Sequence, residues 1–139
     1  MPVLDTQVLF AMQPSDGKHE RALELLASTK RLTVPDTSLF EFLAVLRGRG
    51  KSNGAIKQIV LALGEVLRER DVAGVATMGP LLIASQCEVE SEYGLSFFDS
   101  LIAASALATD GVVVSDDRAF DKVPGLKRVA LGSREDQHL

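Results

Sequence analysis

The chain has 139 residues, 46% of them hydrophobic and 24% charged, which is enough apolar material for one folded core and too much for a disordered chain. Nineteen acids against fifteen bases leave a net charge of −4, excluding a polybasic binder that grips nucleic acid by bulk charge. One cysteine rules out a disulfide framework or a cysteine-based zinc site, and two histidines, His19 and His138, rule out a histidine-rich metal centre.

Val3-Leu4, running into Asp5, predicts a short first strand. Glu20 to Lys30 carries Ala22, Leu23, Leu25 and Leu26 among polar residues and predicts a helix. Leu32 to Pro35 predicts a strand stopped by its proline, and Thr37 to Arg47 a helix with Leu39, Phe42, Leu43 and Leu46 apolar. Gly48, Gly50, Asn53 and Gly54 break the chain before the clearest helix, Ala55 to Glu69, where Ile56, Ile59, Val60, Leu63 and Leu67 recur at helical spacing. That Leu-rich stretch reads as core or dimer surface.

Val72 to Thr77 is a weak strand diluted by Gly74. Pro80 suits the first turn of a helix that Gly94 ends after Tyr93. Phe97 to Thr109 predicts a helix whose alanines, Ala103, Ala104, Ala106 and Ala108, allow close packing on a sheet. Val112 to Val114 is a continuous apolar run, as in a strand buried on both faces. Pro124-Gly125 marks a turn, Arg128 to Leu131 a last edge strand, and residues 132–139 a polar tail beyond a domain of residues 1–131. No segment reaches about 18 uninterrupted apolar residues, and no basic stretch precedes an apolar one at the start, so a soluble cytoplasmic protein without membrane contact is the expectation.

Strands alternating with helices predict an α/β fold with a mostly parallel sheet. Ligands collect outside the carboxyl ends of such strands. Asp5 follows the first strand, Asp116 and Asp117 follow Val112 to Ser115, Glu41 lies early in the helix after the second strand, and Asp99 opens the alanine-rich helix. Each acid also reads as a cap: Ser38-x-x-Glu41 and Ser96-x-x-Asp99 have capping-box spacing or close to it, and Asp5 and Asp117 precede short helices. Four carboxylates from four segments on one edge are harder to explain by capping. If they converge within about 6 Å they repel, and a cation between them relieves that repulsion. All-oxygen ligation selects Mg²⁺ or Mn²⁺, which activates water at a phosphodiester.

At these residues the sequence resembles the PIN-domain family of metal-dependent ribonucleases, which includes the toxin halves of VapBC-type toxin–antitoxin pairs. Val3-Leu4-Asp5-Thr6 is similar to its first motif, Ser38 to Arg47 to its second, Phe98-Asp99-Ser100-Leu101-Ile102-Ala103-Ala104 to its third, and Ser115-Asp116-Asp117-Arg118-Ala119-Phe120 to its fourth. The resemblance spans residues 1–131. It implies a three-layer α/β/α domain around a mostly parallel sheet of about five strands. It also implies Mg²⁺- or Mn²⁺-dependent endoribonuclease activity on RNA, a homodimer and, for a toxin, an antitoxin partner. By that likeness Asp5, Glu41, Asp99 and Asp117 bind metal and carry catalysis, with Thr6, Ser115 and Asp116 supporting. Ala119 stands where many members carry a further acid, and Gln7 where Ser or Asn is common. Ala119 makes a non-catalytic PIN-like module, binding RNA or a protein, the alternative.

Arg47, Arg49 and Lys51 end the glutamate's helix, and Arg118 sits beside the acids. Their readings are helix C-terminal charge or contact with an RNA backbone, and for Arg118 an ion pair with Asp116. Cys87 reads as a small buried residue. Gly50-Lys51-Ser52 lacks the glycine of a phosphate loop at Val45. A phosphohydrolase with Asp5 as nucleophile needs a second aspartate where Gln7 stands.

Overall fold

Strand residues alternate between two faces, and that alternation divides the core. The structure, a computed structural model describing residues 1–132, runs β1 (Val3–Leu4), α1 (Thr6–Phe10), α2 (His19–Ser28), β2 (Thr33–Pro35), α3 (Asp36–Gly48), α4 (Asn53–Glu69) and β3 (Ala73–Val75). It continues with α5 (Pro80–Tyr93), α6 (Phe97–Leu107), β4 (Val112–Val114), a 3-10 helix (Arg118–Lys122) and β5 (Lys127–Val129). Leu4, Val34 and Val114 point to one side, into a core with Val8, Phe42, Leu46 and Leu63 from α1, α3 and α4. Val3 and Val113 point to the other, against Ile102, Ala103 and Ala106 of α6 and Val89 of α5. Three layers result, as the resemblance implies. Each fully buried Leu, Val or Phe contributes about 1.5–3 kcal/mol.

The five strands lie in the order β3-β2-β1-β4-β5, and every pair is parallel. Val3 is in register with Thr33 on one side and Val113 on the other. The chain builds outward from β1 through β2 to β3, then returns to the far side of β1 for β4. The order reverses at β1/β4, so the crevice beyond their carboxyl ends is the natural ligand position. Gly111 makes the turn into β4 with φ +78°, and a Cβ there would lie 2.9 Å from the Gly125 carbonyl oxygen. Only glycine fits that approach.

Predicted and observed elements agree within about two residues, which is the ordinary spread at element ends. β5 is an edge strand, displaced to Lys127–Val129. Of the Leu-rich stretch in α4, Leu63 is buried and Leu61 is 56% exposed. Cys87 is exposed, contrary to the buried position expected: α5 turns it outward while Gln86 and Val89 face the core. Among the described residues no helix is long and apolar enough to cross a membrane. Apart from Gly132, the expected tail lies outside the described residues.

Candidate active site

β1 delivers Asp5 to the switch point, where it is 5% exposed. One carboxyl oxygen, Oδ1, accepts the Thr6 N–H at 2.7 Å and so starts α1. The other, Oδ2, accepts the Ser115 hydroxyl at 2.6 Å. Ser115 follows β4 and is fully buried; its Oγ also accepts the Asp117 N–H at 2.9 Å. Asp117 in turn caps the 3-10 helix, its Oδ1 accepting the Ala119 N–H at 2.9 Å. One hydroxyl therefore fixes the strand-end acids of β1 and β4 relative to each other.

The other two acids arrive on helices. Ser38 Oγ donates to the Leu4 carbonyl at 2.7 Å, and Thr6 Oγ1 donates to the Ser38 carbonyl at 3.4 Å, pinning α3 to the end of β1 one turn before half-buried Glu41. The capping pair expected of Ser38-x-x-Glu41 does not form. The helix begins at Asp36, so Ser38 lies inside it and spends its hydroxyl on the sheet. Ser96 does cap α6, accepting the Asp99 N–H at 3.2 Å, and Asp99 stands half-buried in the first turn. Capping and convergence prove compatible, since a carboxylate offers about four lone-pair positions and a cap uses one.

Electrostatics tie the four acids together. Burial pushes the Asp5 carboxyl up to about 6 against the hydrogen bonds from Ser115 and Thr6, and repulsion from Glu41 and Asp117 adds to the rise. Burial also pushes Asp99 up to about 7, with a hydrogen bond to the Asp117 carboxyl and repulsion from Asp117, Asp5 and Glu41 adding to it. Asp116 behaves oppositely. Burial raises it, but Lys18 and the backbone N–H of Gly132 outweigh burial and hold it below the usual carboxylate range. Its carboxyl pairs with Lys18.

Among the described residues no three His, Cys, Asp or Glu side chains form a ready-made ligand shell. The donor chemistry nevertheless fits a hard divalent cation: every donor is a carboxylate or hydroxyl oxygen, and two carboxyls are held partly protonated by burial and by their neighbours.

Two residues were not read as supports from the sequence. Gln7 Oε1 accepts the Asp116 N–H and lies 3.5 Å from Ser115 Oγ, so it braces the turn after β4. Its place two residues beyond Asp5, where Ser or Asn is common in the family it resembles, was the hint. Asp36 accepts hydrogen bonds from the Thr77 N–H at 3.1 Å, the Thr77 hydroxyl at 2.7 Å and the Met78 N–H at 3.0 Å. Ser105 Oγ lies 2.6 Å from Thr37 Oγ1 and 2.8 Å from Thr77 Oγ1, locking α3 to α6 and hence Glu41 to Asp99. Nothing in the sequence distinguishes Asp36 from the site acids.

Of the basic residues, Arg47 and Lys51 are exposed, and Arg49 lies with its guanidinium carbon 4.8 Å from the Phe10 ring centre. Arg118 is exposed and leaves Asp116 to Lys18. Ser52 caps α4, accepting the Ala55 N–H at 3.1 Å, so Gly50-Lys51-Ser52 has a structural role.

Residues 3–126 match the family model of the PIN domain. No curated protein matches the chain. Among solved structures, the chain is similar to one from the VapBC2 complex of Rickettsia felis bound to a DNA fragment from its promoter, at 22% identity, with 92% of this chain and 96% of that one covered and a TM-score of 0.66. It is similar to Mycobacterium tuberculosis VapC20, a sarcin-ricin loop cleaving toxin, at 17% identity, with 87% and 93% covered and a TM-score of 0.66. It is also similar to one from FitAcB of Neisseria gonorrhoeae, at 20% identity, with 94% and 98% covered and a TM-score of 0.65.

Proposed function

The chain belongs to the PIN-domain family, and on that premise we propose that it is a Mg²⁺- or Mn²⁺-dependent ribonuclease that cuts within RNA and serves as the toxin of a toxin–antitoxin pair. The observation that carries this reading is the mutual repulsion of four acids drawn from β1, α3, α6 and the turn after β4. An assembly that keeps two carboxyls half-neutral is a poor structural device and a good cation trap. Asp5, Asp99 and Asp117 hold the ion, with Glu41 directly or through water. When bound, the ion supplies an acidified water and positive charge at the phosphate under attack.

The remaining work falls to side chains of the protein. Ser115 orients Asp5 by donating to Oδ2 and orients Asp117 by accepting its N–H. Burial and the neighbouring Asp117 carboxyl hold Asp99 partly protonated near neutrality. Thr6 and Ser38 set the height of Glu41 above β1. Residues 1–131 constitute the nuclease domain. The toxin role and an antitoxin partner rest on the neighbours, which include VapBC and FitAB complexes and the sarcin-ricin loop cleaving toxin VapC20; a homodimer is part of the same proposal.

Asp5→Asn and Asp99→Asn should each reduce Mn²⁺-dependent cleavage of single-stranded RNA by more than about 100-fold, the upper range for losing a mere support of a metal ligand. Their melting curves should remain cooperative. Cleavage at the wild-type rate in either variant overturns the assignment. A second reading, a module that binds without cutting, draws on Ala119 and on the absence of a formed ligand shell among the described residues. A thermal melt separates the two: an ion present at a hundred times its dissociation constant adds about 2.7 kcal/mol, and no shift in millimolar Mn²⁺ favours the binding module.

A further inference from the structure

The segment after β4 carries three acids, Asp116, Asp117 and Asp121, and two of them are already engaged by cations. Asp116 is committed on both carboxyl oxygens: Oδ1 accepts the Gly132 N–H at 2.9 Å, and Oδ2 pairs with Lys18. Its own N–H goes to Gln7, so backbone and side chain are both held. Asp121 is committed to Arg128, which donates to Oδ1 at 2.9 Å and to Oδ2 at 3.2 Å. The same guanidinium donates to the Ser115 carbonyl at 3.2 Å, so this fork is part of the brace around the turn. Asp117 alone of the three meets another site acid, Asp99.

Position 119 completes the pattern. The Ala119 methyl packs against the core cluster that contains Ile102, Ala103 and Phe120, so the start of the 3-10 helix presents an apolar side chain to the core behind α6. Beyond Asp117 the turn therefore offers a methyl group, the exposed cation Arg118 and two engaged carboxylates. Two ions that share one phosphodiester lie about 3.5–4 Å apart. Double charges at that distance repel strongly, and each ion needs oxygen ligands of its own besides any that are shared. Asp5 cannot swing to serve a second ion, because its two oxygens hold the Thr6 N–H and the Ser115 hydroxyl. Among the described residues of this turn, no uncommitted carboxylate besides Asp117 remains for a second ion.

We infer that the acid cluster is a one-ion site: Asp5, Glu41, Asp99 and Asp117 surround a single divalent cation, and a second position is closed by the Ala119 methyl and by the engagement of Asp116 with Lys18 and Gly132. The inference deepens the metal-dependent reading and rests on it for the ion itself. Ala119 then marks the number of ions and not the loss of activity, because one ion is enough to acidify a water and to place positive charge at a phosphate. Asp116 and Asp117, adjacent in sequence, divide the work. One builds the turn and the other faces the ion.

The test counts Mn²⁺ bound to the full-length protein in the absence of RNA, from the free-ion electron paramagnetic resonance signal during titration, with calorimetry in parallel. The wild-type protein should bind one ion per chain. Asp116→Asn keeps an acceptor for the Gly132 N–H and should leave the count at one, whereas Asp117→Asn should weaken binding of that ion by more than about 100-fold, beyond what loss of a mere support costs. Ala119→Asp supplies the missing carboxylate and should raise the count to two, with the melting curve as the check on folding; if that variant melts without cooperativity, the wild-type and Asp116→Asn counts decide. Two ions in the wild type, or a count that falls in Asp116→Asn, overturns the one-ion site. A cooperatively folded Ala119→Asp that still binds one ion overturns the part given to Ala119. No bound ion overturns both the one-ion site and the metal-dependent reading. One ion bound without any cleavage of RNA leaves the count standing and removes the ribonuclease reading.

Discussion

Asp36 and Asp99 both stand in the first turn of a helix. Their environments differ in one respect: what faces the carboxyl. Asp36 receives three donors from Thr77 and Met78, which outweigh burial and hold it below the usual carboxylate range. Asp99 faces Asp117, Asp5 and Glu41, and burial together with those neighbours pushes it up to about 7. The same contrast separates adjacent residues in the turn after β4, where Asp116 has Lys18 and Asp117 has Asp99. A structural acid is recognised by the donors it has acquired, and a candidate ligand by the acids it has been given. Residue type and helix position do not separate them.

The broadest way to break this comparison is to vary pH without divalent metal. Asp5 and Asp99 have folded values above the ordinary aspartate value of 3.8. Below about pH 4 they are neutral in both states and cost nothing; as pH rises from about 4 to about 6 to 7, the unfolded chain ionises them freely while the folded carboxyls stay protonated. Metal-free stability should therefore fall over that window. Asp5 alone, shifted by roughly 2 units, accounts for on the order of 3 kcal/mol. Asp36 and Asp116 act in the opposite sense, since their lowered values stabilise the fold above about pH 4 and that gain disappears on further acidification. Chemical denaturation in EDTA from pH 4 to 8 should show a maximum on the acid side of neutrality, and saturating Mn²⁺ should remove the decline above it. Stability that rises steadily to pH 8 without metal contradicts the strain assigned to the acid cluster.

Single substitutions sharpen the same contrast on a smaller scale. Asp36→Asn loses charge-assisted bonds between α3 and the exit of β3 and should cost about 2 kcal/mol at pH 7. Asp99→Asn removes a repelled carboxyl and should leave the metal-free protein as stable as wild type or more so. Urea titrations of both variants in EDTA measure the two signs; a loss of stability in Asp99→Asn equal to that in Asp36→Asn erases the distinction between the two acids.

Much of this was legible beforehand. Val112 to Val114 and Val3-Leu4 are apolar runs that admit few roles besides buried strands, and the periodicity of Ile56, Ile59, Leu63 and Leu67 fixes α4. Asp5 and Asp117 could be placed because each follows a strand whose direction the α/β pattern dictates. What the sequence concealed depends on contacts between distant segments. Ser38 reads locally as a cap and in the fold bonds to Leu4, 34 residues away. Asp36 reads as one more acid until Thr77 meets it, and Lys18 lies too far along the chain from Asp116 to suggest their ion pair.

Gln7 gives the finest test of whether the turn after β4 is held from outside the acid cluster. Its Oε1 accepts the Asp116 N–H, and Ser115 Oγ lies 3.5 Å from the same oxygen while donating to Asp5 at 2.6 Å. Gln7→Ala leaves a half-buried N–H without its partner and should cost about 1 kcal/mol. Because the lost contact adjoins Ser115, the effect on cleavage should exceed what stability explains, with a drop of about tenfold, as for second-layer supports of metal ligands. Gln7→Glu keeps the acceptor oxygen but adds a charge beside the cluster, so it should restore stability at the turn and still bind Mn²⁺ differently from wild type. Measuring the apparent Mn²⁺ midpoint of cleavage in both variants separates bracing from charge. A midpoint shifted in Gln7→Glu alone assigns Gln7 a purely electrostatic part, whereas a tenfold loss in Gln7→Ala at an unchanged midpoint identifies it as a positioning residue.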